Sequence, residues 1–280
     1  MRSPISLFCA ITLASLAPAA AFASGPDADA GEMAVLPNGV FRPLYRAAGN
    51  PDVTPVKSFA LDVLPVTNED FLKFVTAHPE WRRSRASRAA ADESYLKDWA
   101  EDLRPGDKAP LNAPVTYVSL GAATAYAQWR GKRLPTLAEW EYAASASPTR
   151  ADGQNDAAFK REVLRWYSTP APAILPPAGS GATNVWGVRD LHGLVWEWVS
   201  DFAAAGPAVE SQAKGNAGKD RFCGAGSVGA RNAQDFPAFM RYGFRGSLKA
   251  NYSIHNLGFR CAKDLPFTTA RREPATFSLP

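Results

Sequence analysis

No stretch of this chain sustains a helical or an alternating hydrophobic period for long, and that property narrows the fold more than any single motif does. A parallel sheet would require strands alternating with helices, and a solenoid would require a repeat of fixed length; neither pattern is present. What remains is an irregular α+β arrangement of short elements with little regular secondary structure. With 46% of the residues hydrophobic and 11% aromatic, the chain has enough apolar bulk to bury a core and too much to be disordered. Its 280 residues allow one large or two small domains, and we read a single compact one.

The first 23 residues have the pattern of an export signal: Arg2, an apolar run from Ile5 to Leu16, and a small-residue exit at Ala21-Phe22-Ala23 with cleavage before Ser24. The alternative, a retained anchor, needs about 20 apolar residues, and this run is shorter and carries Ser6, Thr12 and Ser15. The expectation is therefore a periplasmic or secreted protein with no membrane span after cleavage. Residues 24 to 34 read as a tether, 35 to 266 as the domain and 267 to 280 as a C-terminal tail. The net charge of +4, from 31 basic against 27 acidic residues, is too slight to imply nucleic acid.

Along the domain, Phe59 to Val63 has strand character, and Thr67 is placed to cap a helix whose inner face carries Phe71, Phe74 and Val75. The charged stretch from Trp81 to Asp107 reads as a solvated excursion or, alternatively, a binding rim. Pro114 to Val118 reads as a short strand, and Ser119 as the cap of a second helix that stops at Gly131. Thr136 and Glu139 form a capping box for a third helix with Leu137, Trp140 and Ala144 inward, ended by Pro148. From Pro170 to Gly181 the sequence is loop, followed by short strand-like pieces.

Four stretches in this order are jointly specific: Pro65-Val66-Thr67-Asn68; Trp129 to Thr136 running on to Glu139-Trp140-Glu141-Tyr142-Ala143-Ala144; Asn184 to Trp198; and Asn256-Leu257-Gly258-Phe259-Arg260. Together they resemble the formylglycine-generating enzyme (sulfatase-modifying factor) family over about residues 35 to 264. The resemblance implies one domain related to C-type lectin folds. It also implies a calcium site on the turn of the third stretch, held by Asp190, Gly193, Val195 and Glu197; two acidic side chains with exposed carbonyls suit that hard ion. The other reading of Asp190 and Glu197 is a pair of carboxylates that cap turns and form ion pairs.

In the family's active members two cysteines shortly after a Gly-Gly-Ser motif bind Cu(I), which activates O₂ to oxidise a substrate cysteine. The matching stretch here runs from Gly224 through Ser227, and no cysteine lies between Ser227 and Asn256. A soft monovalent copper needs thiolates, so no copper site is identified. Nor do His78, His192 and His255 make the spaced pair that the iron-binding branch uses, and His192 is read as packing. Ser227, Arg241 and Arg245 stay as catalytic candidates: a deep polar pocket around them would favour an enzyme, and a filled one a binding protein.

Cys223 and Cys261 are the cysteines left after signal removal. Cys261 matches a half-cystine of the animal members whose usual partner is missing, which leaves Cys223 as the replacement; two free thiols or a two-thiolate metal site are the alternatives. The signal and the Phe222 to Gly226 stretch look most like an exported branch that accompanies a periplasmic metalloenzyme such as a copper nitrite reductase or tailors siderophores. Three functions follow: an exported accessory or binding protein without formylglycine-forming activity, a tailoring oxidoreductase of the same fold, and a carbohydrate-binding module resting on the fold alone.

Overall fold

Strand β4 (Phe59–Asp62), all four residues buried, lies at the centre of a three-stranded antiparallel sheet between β1 (Met33–Leu36) and β9 (Ala262–Asp264). Pairing of Leu36 with Phe59 and of Leu61 with Ala262 thus brings the two ends of the domain together. The structure is a computed structural model that describes residues 31–44, 53–153, 155–205 and 235–266. Around the sheet lie three two-stranded pieces: β2 (Gly39–Phe41) with β3 (Thr54–Val56), β5 (Trp99–Glu101) with β6 (Arg104–Pro105), and β7 (Trp196–Glu197) with β8 (Leu257–Gly258). The fold is α+β in a single compact domain. None of the described helices is long and apolar enough to cross a membrane.

The helices start where the capping side chains dictate. Thr67 accepts from the Asp70 amide at the head of α1 (Asn68–Ala77), and Ser119 accepts from the Ala122 amide at the head of α2 (Leu120–Trp129). Thr136 and Glu139 form both halves of a capping box on α3 (Leu137–Ala144), and Gly131, at φ +63°, turns the chain between the last two. α1 and α2 bury their inner faces against each other, with Phe71, Phe74, Tyr126 and Phe259 at ring-centroid distances of 5.3 to 6.2 Å.

Three expectations need correction. Pro114 to Val118 is not a strand: only Pro114 bridges, to Thr67, because Tyr117 takes a left-handed φ of +54° that breaks extended pairing. The 81–107 excursion is not simply solvated, since Tyr95, Leu96 and Trp99 are sunk in the core. Asn68 holds it there, accepting from the Trp99 indole at 2.9 Å and donating to the Pro110 and Ala113 carbonyls. Third, the region beyond Pro148 contains two more helices, α4 (Ala157–Tyr167), capped by Asp156, and α5 (Phe236–Gly246), capped by Asp235.

The signal segment 1–23, most of the 24–34 tether, the 267–280 tail, Cys223 and Ser227 lie outside the described residues.

Candidate functional site

The inward-pointing charges of the last three sequence stretches are held by bonds within the protein. Lys132 reaches Asp62 at 2.6 Å, with both side chains nearly buried. Arg133 forks onto both oxygens of Glu139 at 2.7 Å and also meets Asp264, so it ties α3 to β9. Arg260, wholly buried, straddles Glu197 through Nε and Nη2 and gives its other donors to the carbonyls of Asp62, Val63 and Arg189 at 2.8 to 3.0 Å. Parallel pairing of β7 with β8 brings Glu197 beside Gly258, two residues before that arginine. The Trp140 indole donates to Glu197 Oε2 at 2.6 Å, and the Trp198 indole to the Val118 carbonyl at 2.9 Å.

The turn between Asn184 and Glu197 is built in the same way. Asn184 accepts from the amides of Trp186 and Val188 and donates to the Ala143 carbonyl. Asp190 is buried with a left-handed φ of +61°, and its carboxylate accepts from the amides of Gly179 and Gly181. His192 donates from Nε2 to the Ala144 carbonyl at 2.9 Å and packs edge-on against Trp140 and Phe159. Burial, and next to it the charge of Arg241, holds its pKa down at about 4, so the ring is neutral and packs, as its place in the turn suggested.

The four residues expected to hold calcium can be tested against this geometry. A carboxylate has about four acceptor positions. Glu197 spends them on three contacts from Arg260 and one from Trp140, which leaves none for an ion and puts a fixed cation beside it. Asp190 keeps acceptor capacity beyond its two amide contacts; it is then the only carboxylate of the set that can turn to an ion, with Val195 fully buried in the core. Glu197 therefore does not fit as an ion ligand in this arrangement; it is the counter-ion of Arg260, which was the other reading of the pair.

Of the three catalytic candidates, Arg241 and Arg245 come together on one face of α5, but they point at the protein. Arg241 bonds Glu141 through Nε and Nη2 at 2.7 to 3.0 Å and reaches the Tyr167 hydroxyl at 3.1 Å; Arg245 bonds Glu141 at 2.5 Å and lies over the Trp140 ring at 4.6 Å. Burial works to raise the Glu141 pKa, yet the two guanidiniums outweigh it and hold it down at about 2. Beside Arg241 lies a cavity of only about 40 Å³, near the volume of one water. Among the described residues, both arginines are thus committed to Glu141. Glu141 was not singled out from the sequence, although its place between Leu137 and Ala144 on the inner face of α3 marks it as a buried carboxylate needing a cation.

Cys261 is a free, buried thiol: its amide donates to Asp62 Oδ2 at 2.9 Å, and burial and then the Asp62 charge push its pKa up. Cys223, the partner expected for a bridge from Cys261, lies outside the described residues. The cavity missed from the sequence is larger, about 470 Å³, between the inner face of α4 (Phe159, Val163, Trp166) and the 181–193 turn. It was missed because α4 was missed.

Comparison with known proteins agrees with this frame. Residues 18–265 match the model of the sulfatase-modifying factor enzyme 1-like domain. The formylglycine-generating enzyme of Streptomyces coelicolor is 31% identical over 254 residues, covering 83% of this chain and 77% of its own length. The inactive Cα-formylglycine-generating enzyme 2 of Bos taurus is 29% identical, covering 74% and 77%. PvdO from Pseudomonas aeruginosa superposes with a TM-score of 0.48 at 20% identity, over 87% of this chain and 98% of its own. An active and an inactive relative at nearly equal identity leave activity to the site residues. With the match running through all four stretches and the charged pairs that lock them, the chain belongs to the sulfatase-modifying factor enzyme 1-like family.

Proposed function

We propose that this chain is an exported binding or accessory protein on the formylglycine-generating enzyme fold that does not itself make formylglycine. The observation that carries the reading is the fate of the candidate site: Arg241 and Arg245 are spent on Glu141, and among the described residues the space beside Arg241 holds about 40 Å³. A reaction site needs polar groups converging on a space that a substrate can enter. No cysteine lies between Ser227 and Asn256, so the thiolate pair that would hold Cu(I) has no donors there. The 470 Å³ cleft has the volume of a small-molecule site and gives the binding reading its location. The apolar run of residues 5 to 16 and the Ala21-Phe22-Ala23 exit support export to the periplasm or the medium, where a metalloenzyme such as a copper nitrite reductase is the kind of partner the exported branch suggests.

Competition of the purified mature protein with a chromogenic Cu(I) chelator tests the reading. The chelator should keep its copper; one tightly held Cu(I) per chain would contradict the proposal and move the protein toward a tailoring oxidoreductase.

A further inference from the structure

The chain as a whole is slightly basic, but the cleft between α4 and the 181–193 turn is not. Among its described lining residues there is no lysine or arginine, while Asp156 and Glu162 stand on its α4 side. Asp156 Oδ1 caps α4 through the amides of Ala158 and Phe159. Glu162, exposed, meets Arg165 one turn on from the solvent side, a pairing that water screens. The other basic residues of α4 are placed elsewhere: Lys160 lines the small cavity beside Arg241, and Arg161 is solvent-exposed. His192, on the cleft wall, has its Nε2 proton committed to the Ala144 carbonyl and adds no positive charge at neutral pH.

The remaining wall is apolar. Phe159, Val163 and Trp166 line it from α4, with Val188 and Leu191 opposite. Trp166 is half-buried and held in place by contact with Tyr167 and Trp196 at centroid distances of 4.9 and 5.3 Å. An aromatic face beside carboxylates attracts a cation twice, through the ring quadrupole and through the charges. A carboxylate or phosphate ligand would meet two like charges and, among the described lining residues, no basic side chain.

We propose that this cleft binds a small organic cation, an ammonium carried on an apolar ring or chain, with the apolar part against Phe159 and Trp166 and the ammonium facing Glu162 and Asp156. The proposal rests on the binding reading only in taking this cleft as the place where a ligand sits.

Titration of the mature protein with phenethylammonium, followed by calorimetry and tryptophan fluorescence, tests it against 3-phenylpropionate, which has the same ring and a similar length but the opposite charge. Phenethylammonium should bind, quench the fluorescence and weaken as salt rises. Phenylpropionate should not bind. Glu162→Gln is exposed and Asp156→Asn keeps a capping side chain, so both variants should fold. Each should weaken binding by roughly threefold to tenfold. Equal binding of the two probes, no binding of phenethylammonium, or full affinity in the double variant would overturn the proposal. None of these outcomes bears on copper binding, which decides the functional reading separately.

Discussion

Replacing Glu197 with glutamine removes one charge and little volume, and the structure sets what that should cost. Arg260 has no solvent exposure, and its carboxylate partner has none either. Breaking a buried pair by neutralising one member leaves an uncompensated charge and typically costs about 3–5 kcal/mol. The glutamine oxygen can still accept one contact, and the guanidinium keeps the Asp62, Val63 and Arg189 carbonyls, so the lower end, about 3 kcal/mol, applies. For a domain of this size that is a fall of about 6–12 °C in Tm. Urea unfolding followed by tryptophan fluorescence reads the effect, because the Trp140 indole donates to Glu197 and Trp198 is buried in the core. The loss should be the same in calcium and in chelator, since Glu197 acts on Arg260 and not on an ion. A loss below about 1 kcal/mol would refute the buried-pair argument. A parent Tm that rises with calcium and a Glu197→Gln variant that no longer responds would return Glu197 to the role of a metal ligand.

Two further predictions follow from the buried groups. His192 titrates near pH 4 in the folded chain against about 6.5 unfolded, so its contribution is complete above pH 6.5 and is lost as the pH falls toward 4. It amounts to no more than about 3 kcal/mol, and His192→Gln should flatten the fall in urea midpoint between pH 7 and pH 5; an unchanged slope would show that the imidazole is not the group responsible. Cys261, buried and with its pKa pushed up, should not react with a thiol reagent in the native protein and should react once the chain is unfolded without reductant. A mature chain showing no thiol after denaturation would establish the Cys223–Cys261 bridge instead.

The parts of the fold that could be read in advance are those set by local chemistry. Thr67, Ser119 and the Thr136–Glu139 box fix helix starts through the first-turn amides, and those amides are the same in any tertiary setting. α4 and α5 were missed although Asp156 and Asp235 cap them, because Lys160, Arg161, Glu162 and Arg165 in α4 dilute its apolar stripe and Pro237 sits in the first turn of α5. The roles of the inward charges were out of reach for a different reason. Glu141 and Arg245 are 104 residues apart, and Asp62 and Cys261 are 199 apart, so spacing along the chain gives no sign of the pairings. The same holds for Glu197: its place in a turn points to a calcium ligand with an ion-pair partner as the alternative, and the approach of Arg260, two residues past β8, supplies the ion pair.

The claim that this chain keeps the family frame without its copper chemistry is tested most directly by mass spectrometry of a sulfatase-type cysteine peptide incubated with the mature protein, copper and O₂. The account predicts that the peptide mass stays unchanged, because the stretch from Ser227 to Asn256 offers no thiolate and Arg241 and Arg245 are committed to Glu141. Loss of the cysteine thiol with formation of the aldehyde, in proportion to turnover by the protein, would contradict it.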